Sequence, residues 1–73
     1  MNINIKKYRL NNNYFIKCSE VKIKSGSSLY AVEVFCHGEV VDGRSGIASK
    51  DIANDVFCRL RDKYIHKINI GVA

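Results

Sequence analysis

The sequence predicts an α+β domain: a three- to four-stranded antiparallel sheet followed by one C-terminal amphipathic helix packed on one face, in the order β-β-β-α. Three observations predict it. Short segments of alternating apolar residues recur over residues 2–41. Each is closed by a turn rich in Asn, Ser or Gly. One apolar stripe at helical spacing then follows from Ser49 onward. With strands first and the helix last, the helix is left to cover a single sheet face.

The first strand is expected over Asn2 to Leu10, with Ile3 and Ile5 on one side and Asn4 and Lys6 opposite. Tyr8 and Leu10 fall on the side of Lys6, so a phase shift or a bulge is needed. Asn11-Asn12-Asn13 reads as a turn, because asparagine tolerates positive φ and caps its own backbone. The second strand covers residues 14 to 24. Tyr14, Ile16 and Cys18 share one face and Val21 and Ile23 fall on the other, which places a β-bulge near Ser19-Glu20. With that bulge, Lys17, Lys22 and Lys24 would share the solvent face. Ser25-Gly26-Ser27-Ser28 is a hairpin turn.

Residues 29 to 37 form the clearest strand. Tyr30, Val32, Val34 and Cys36 make one face, and Ala31, Glu33, Phe35 and His37 the other. Phe35 is therefore either covered by another element or exposed for a partner. A turn begins at Gly38-Glu39, Val40-Val41 suits a short strand, and Asp42-Gly43-Arg44-Ser45-Gly46 reads as a further turn. The helix is expected over 49–65 with Ser49 as N-cap. Asp51 lies in the first turn, where the dipole favours an anion. Ile52, Ala53, Val56, Phe57, Leu60 and Tyr64 make the apolar stripe, and Asp55 and Arg59 form an i,i+4 pair. Residues 66–73 read as a tail or short edge strand, with Ile68 and Ile70 available to a partner.

The chain of 73 residues is one small domain, residues 1–73, and its 47% apolar content supplies a core and argues against disorder. A core this small gives marginal stability unless something else contributes. No apolar run is long enough to suggest a membrane partner, and the start of the chain has no secretory-signal pattern, so a cytoplasmic location is expected. Cys18, Cys36 and Cys58 each sit in an apolar pattern rather than a CxxC pair, which fits reduced core thiols.

Charge is distributed unevenly. Over the first 24 residues Lys6, Lys7, Arg9, Lys17, Lys22 and Lys24 are opposed only by Glu20, whereas acidic and basic residues cancel in the remainder. The whole net charge of +5 thus belongs to the N-terminal strands. Such a one-sided basic face is the footprint of a polyanion binder, or a set of lysines that protects an edge strand from aggregation.

Catalytic and metal chemistry are not expected. His37 adjoins Cys36, but no second pair with zinc-ligand spacing follows. The carboxylates are scattered, and Gly43 and Gly46 do not form a phosphate-binding loop of known pattern. The reading is a non-enzymatic protein with no cofactor.

The stretch Tyr30 to Gly38, then Gly43, Gly46 and Ser49-Lys50-Asp51-Ile52-Ala53-Asn54, resembles the C-terminal half of a double-stranded-RNA-binding domain. Ser49, Lys50 and Ala53 match that family's helix start, whereas its second and third lysines are Asp51 and Asn54 here. The resemblance implies strands leading through a glycine-bearing segment into the helix, and a phosphate contact from Lys50.

Two classes of partner follow. The first is nucleic acid, DNA or RNA, held by Lys6, Lys7, Arg9, Lys17, Lys22, Lys24 and Lys50. Tyr8, Tyr14 and Phe15 are the aromatic residues expected near that face, thin cover for stacking bases. The second is a protein partner engaged through Phe35, Ile68 and Ile70, as in a small phage or mobile-element regulator or inhibitor. A homodimer formed through edge strands would offset the small core. Charge asymmetry favours nucleic acid; the missing lysines at the helix start favour a protein.

Overall fold

The computed structural model describes the backbone over residues 2–71 and the side chains over residues 5–71. Four antiparallel strands, β1 (Asn2–Arg9), β2 (Tyr14–Lys22), β3 (Ser28–Cys36) and β4 (Glu39–Ile47), lie in the order β1-β2-β3-β4, and helix α1 (Lys50–Asn69) crosses one face. The expected α+β architecture is observed, with the fourth strand fully formed.

The turns follow from local chemistry. Asn11 Oδ1 accepts the backbone N–H groups of Asn13 and Tyr14, both at 2.8 Å, so the first reversal is capped by its own side chain. The β3–β4 hairpin turns on His37 and Gly38, at φ 52° and 82°. Positive φ at both positions is what a two-residue turn needs to match the twist of its strands. Ser49 caps α1 as expected, its Oγ accepting from Ile52 N at 3.3 Å.

The core lies between sheet and helix. Ile16, Cys18, Val32, Val34 and Ile47 meet Ala53, Phe57 and Tyr64, with Tyr14, Tyr30, Val56 and Leu60 packed around them. The three cysteines are free; Cys18 is buried, and Cys36 and Cys58 are half-buried. Burial raises the Cys18 thiol pKa, against the opposing pull of the Lys6 ammonium. At the far end of the core Asp42 accepts from Lys63 Nζ at 3.0 Å and from Tyr64 Oη at 3.1 Å, tying β4 to the helix.

Four expectations are corrected. First, β2 has no bulge near Ser19-Glu20 and pairs with β3 in unbroken register, whereas the irregularity expected in β1 is present, between Asn4 and Lys6. Val21 therefore shares a face with Phe15 and Lys17, while Lys22 lies on the helix side with Glu20. The faces expected for Ile3 and Asn4 lie outside the described side chains. Second, Asp42 to Gly46 are strand, not turn: two register shifts in the β3–β4 pairing absorb the extra residues. Gly43 makes this possible. At φ 154°, it lies where a Cβ would stand 2.5 Å from the Val32 carbonyl oxygen. Third, Ile52 is exposed rather than part of the apolar stripe. Fourth, His66 to Asn69 continue the helix instead of forming a tail or edge strand. Ile70 is its C-cap and Gly71, at φ 75°, follows in the left-handed conformation that ends helices; Val72 and Ala73 lie outside the described residues. Among the described residues no helix is long and apolar enough to cross a membrane.

Candidate functional site

The helix covers one face of the sheet, and no other described element covers the opposite face. Cross-strand partners share a face, so the register assigns its residues. One row across the sheet is Arg9, Phe15, Phe35 and Val40. The adjacent row is Lys7, Lys17, Glu33 and Gly43. Beyond it Ser19 pairs with Ala31, and Ser19 is buried.

Phe15 and Phe35 stack on each other, with centroids 4.7 Å apart and planes 8° from parallel. Lys7 Nζ lies 4.4 Å from the Phe15 centroid and Lys17 Nζ lies 5.1 Å from that of Phe35. Each such contact contributes about 0.5–1 kcal/mol at an exposed site. Lys7 and Lys17 are also direct cross-strand partners, a pairing of like charges that opposes sheet formation.

Ion pairs engage only some of the basic side chains; Lys6 and, on α1, Lys50 and Lys67 have none among the described residues. On α1, Arg59, Arg61 and Lys63 each meet a carboxylate, those of Asp55, Asp62 and Asp42 at 2.8, 3.2 and 3.0 Å. Lys7, Arg9 and Lys17 meet none among the described residues. The uncovered face therefore carries three cations without an ion pair beside an aromatic pair, with the Glu33 carboxylate in the same row as Lys7 and Lys17.

The other basic candidates are dispersed. Lys6 points to the helix side, hydrogen-bonded to Asn54 Oδ1 with its ammonium 4.3 Å from the Phe57 centroid. Lys22 stands 3.9 Å from Glu20 on that same side, and Lys24 is in the β2–β3 turn. Lys50 begins α1 and, with Lys6 and Ile5, lines a cleft of about 190 Å³ between β1 and the helix. Of the apolar candidates, Phe35 is on the uncovered face, whereas Ile68 and Ile70 are at the helix end, Ile70 exposed. The expected solvent face shared by Lys17, Lys22 and Lys24 is not formed; Lys7, Arg9 and Lys17 share one instead. The Phe15–Phe35 pair was missed because the two residues lie in different strands. Its trace in the sequence is that each interrupts the polar parity of its own strand.

Apart from Cys18, the titrating groups with shifted pKa are Asp42, Tyr64 and Tyr14, which pack between helix and sheet. Hydrogen bonding from Lys63 lowers the Asp42 pKa, and burial raises that of Tyr64. The hydrogen bond with Cys36 raises that of Tyr14. Asp42, Tyr64 and Tyr14 hold helix to sheet, Tyr14 and Tyr64 with ring centroids 5.8 Å apart.

No protein-family model, curated protein sequence or solved structure matches this chain.

Proposed function

We propose that this is a non-enzymatic nucleic-acid-binding protein that works through the uncovered face of its sheet. The observation that carries this reading is the set Lys7, Arg9 and Lys17, unpaired with carboxylates on a face that has no element over it. Two opposed lysines repel each other in the free protein, and an anionic partner relieves that repulsion. Phosphates meet the requirement, since their contacts supply affinity through counterion release. A second copy of the same face does not, because it would bring three more cations onto the first three.

The test is binding of mixed-sequence DNA and RNA at about 50 and 200 mM salt, a range over which several phosphate contacts change affinity by orders of magnitude. The triple variant Lys7→Glu, Arg9→Glu, Lys17→Glu is expected to lose binding, and Arg59→Glu with Lys63→Glu on the helix is expected to retain it. No binding by the native chain at low salt, or equal loss in the two variants, would overturn the reading.

A further inference from the structure

The cations of the uncovered face surround two aromatic rings, and charge alone does not account for the rings. Phosphates gain nothing from a phenyl group. In a duplex the base faces are already stacked on one another, so rings on a protein surface find no partner there. Unpaired bases are different: each presents a π-face that stacks on an aromatic side chain whatever the sequence.

The layout suits that chemistry. Phe15 and Phe35 each use one ring face against the other, and a lysine ammonium stands close to each ring. Those lysines belong to the neighbouring row, so they are within a side chain's swing of a backbone laid along the phenylalanine row. Arg9 closes the row at the β1 edge.

We propose that this face takes single-stranded nucleic acid, with unpaired bases stacked on Phe15 and Phe35 and with Lys7 and Lys17, which cover those rings in the free protein, moved onto the adjacent phosphates. The proposal rests on the nucleic-acid reading above and adds the class of ligand. Each lysine thus has two positions: in the free chain it lies against a half-buried ring, and in the complex it exchanges the ring for a phosphate while a base takes its place.

The test uses the native chain and a single-stranded DNA about 12 nucleotides long, within the range of about 4–16 that a single OB fold occupies. Three further probes are its duplex, a strand of equal length lacking the bases, and a poly-glutamate peptide. Binding of the single strand at least about tenfold tighter than the duplex is expected. Loss of the bases is expected to weaken binding by about 5- to 150-fold per stacked base, with the salt slope preserved. Phe35→Leu, checked for folding by circular dichroism, is expected to lose a comparable factor on the single strand and little on the duplex. The base-free strand needs no protein variant, so the inference stands or falls even where Phe35→Leu does not fold. Equal, salt-dependent affinity for single strand, duplex and base-free strand would overturn the stacking inference and leave the electrostatic reading in place. Absence of binding to every nucleic acid would overturn both, and tighter binding of poly-glutamate would assign the face to an acidic protein.

Discussion

The sharpest quantitative consequence concerns salt. If Lys7, Arg9 and Lys17 each neutralise one phosphate of a single strand, the slope of log affinity against log salt is about −0.7 per contact, or roughly −2.1 in all. A rise from about 50 to 200 mM salt should then weaken binding about 18-fold. Lys17→Ala removes one contact, so the slope should fall to about −1.4 and the same rise should weaken binding only about sevenfold. Fluorescence anisotropy of a labelled single strand at four or more salt concentrations measures both slopes. Arg59→Ala is the control, since Arg59 is paired with Asp55 on the outer face of the helix. An unchanged slope in Lys17→Ala, or an equal change in Arg59→Ala, would refute the assignment of phosphate contacts to this face.

Three further predictions concern the scaffold. Phe57 is 3% exposed beneath the sheet, so Phe57→Ala should cost about 3–5 kcal/mol, a large share of the roughly 4–11 kcal/mol expected for 73 residues. At about 4–8 °C per kcal/mol, thermal unfolding should move down by at least ~12 °C, and a loss under about 1 kcal/mol would contradict the core as described. Gly43→Ala should cost more than Gly26→Ala, because a Cβ at Gly43 meets the Val32 carbonyl at 2.5 Å whereas one at Gly26 meets nothing within 4 Å; equal costs in urea titrations would count against the close approach of β4 to β3. The third concerns pH. The lowered Asp42 pKa makes its contribution present above the ordinary value of 3.8 and lost as pH falls through the depressed one. The raised Tyr64 pKa makes its contribution present below 10.0 and lost as pH rises beyond it. The stability difference between the native chain and Asp42→Asn should therefore be level between about pH 5 and 9 and shrink in acid. A difference that persists unchanged at pH 2 would show that the carboxylate charge plays no part.

Much of the fold was legible because local rules and the core agreed. Alternation in Tyr30 to Cys36 was read correctly since Val32 and Val34 are fully buried under the helix, and Ser49 announced the cap it makes. Other regions misled for identifiable reasons. Asp42 to Gly46 has the composition of a turn, but register shifts let an edge strand take two glycines. The parity change at Val21 suggests a bulge, yet β2 continues straight. Its polar residues Glu20 and Lys22 stay on the helix side, where Ser28 and Lys22 meet the Glu20 carboxylate. The alternation Ile68-Asn69-Ile70 suggested a strand, whereas Gly71 was the better guide, as the residue that follows a helix end. The candidate site was half visible. Lysine excess marked the correct strands, but which lysines share a face depends on the position of one bulge, and the Phe15–Phe35 stack depends on the register of a hairpin.

The most direct test of the sheet-face account is an amide NMR titration with an unlabelled single-stranded oligonucleotide. The account predicts shifts in the amides of Lys7 to Arg9, Phe15 to Lys17 and Glu33 to Phe35, with upfield movement of the Phe15 and Phe35 ring protons under stacked bases. Those of Asp55, Arg59 and Asp62 on the outer helix should remain in place. Shifts confined to Lys50 and its neighbours at the helix start, or to the helix face, would contradict it.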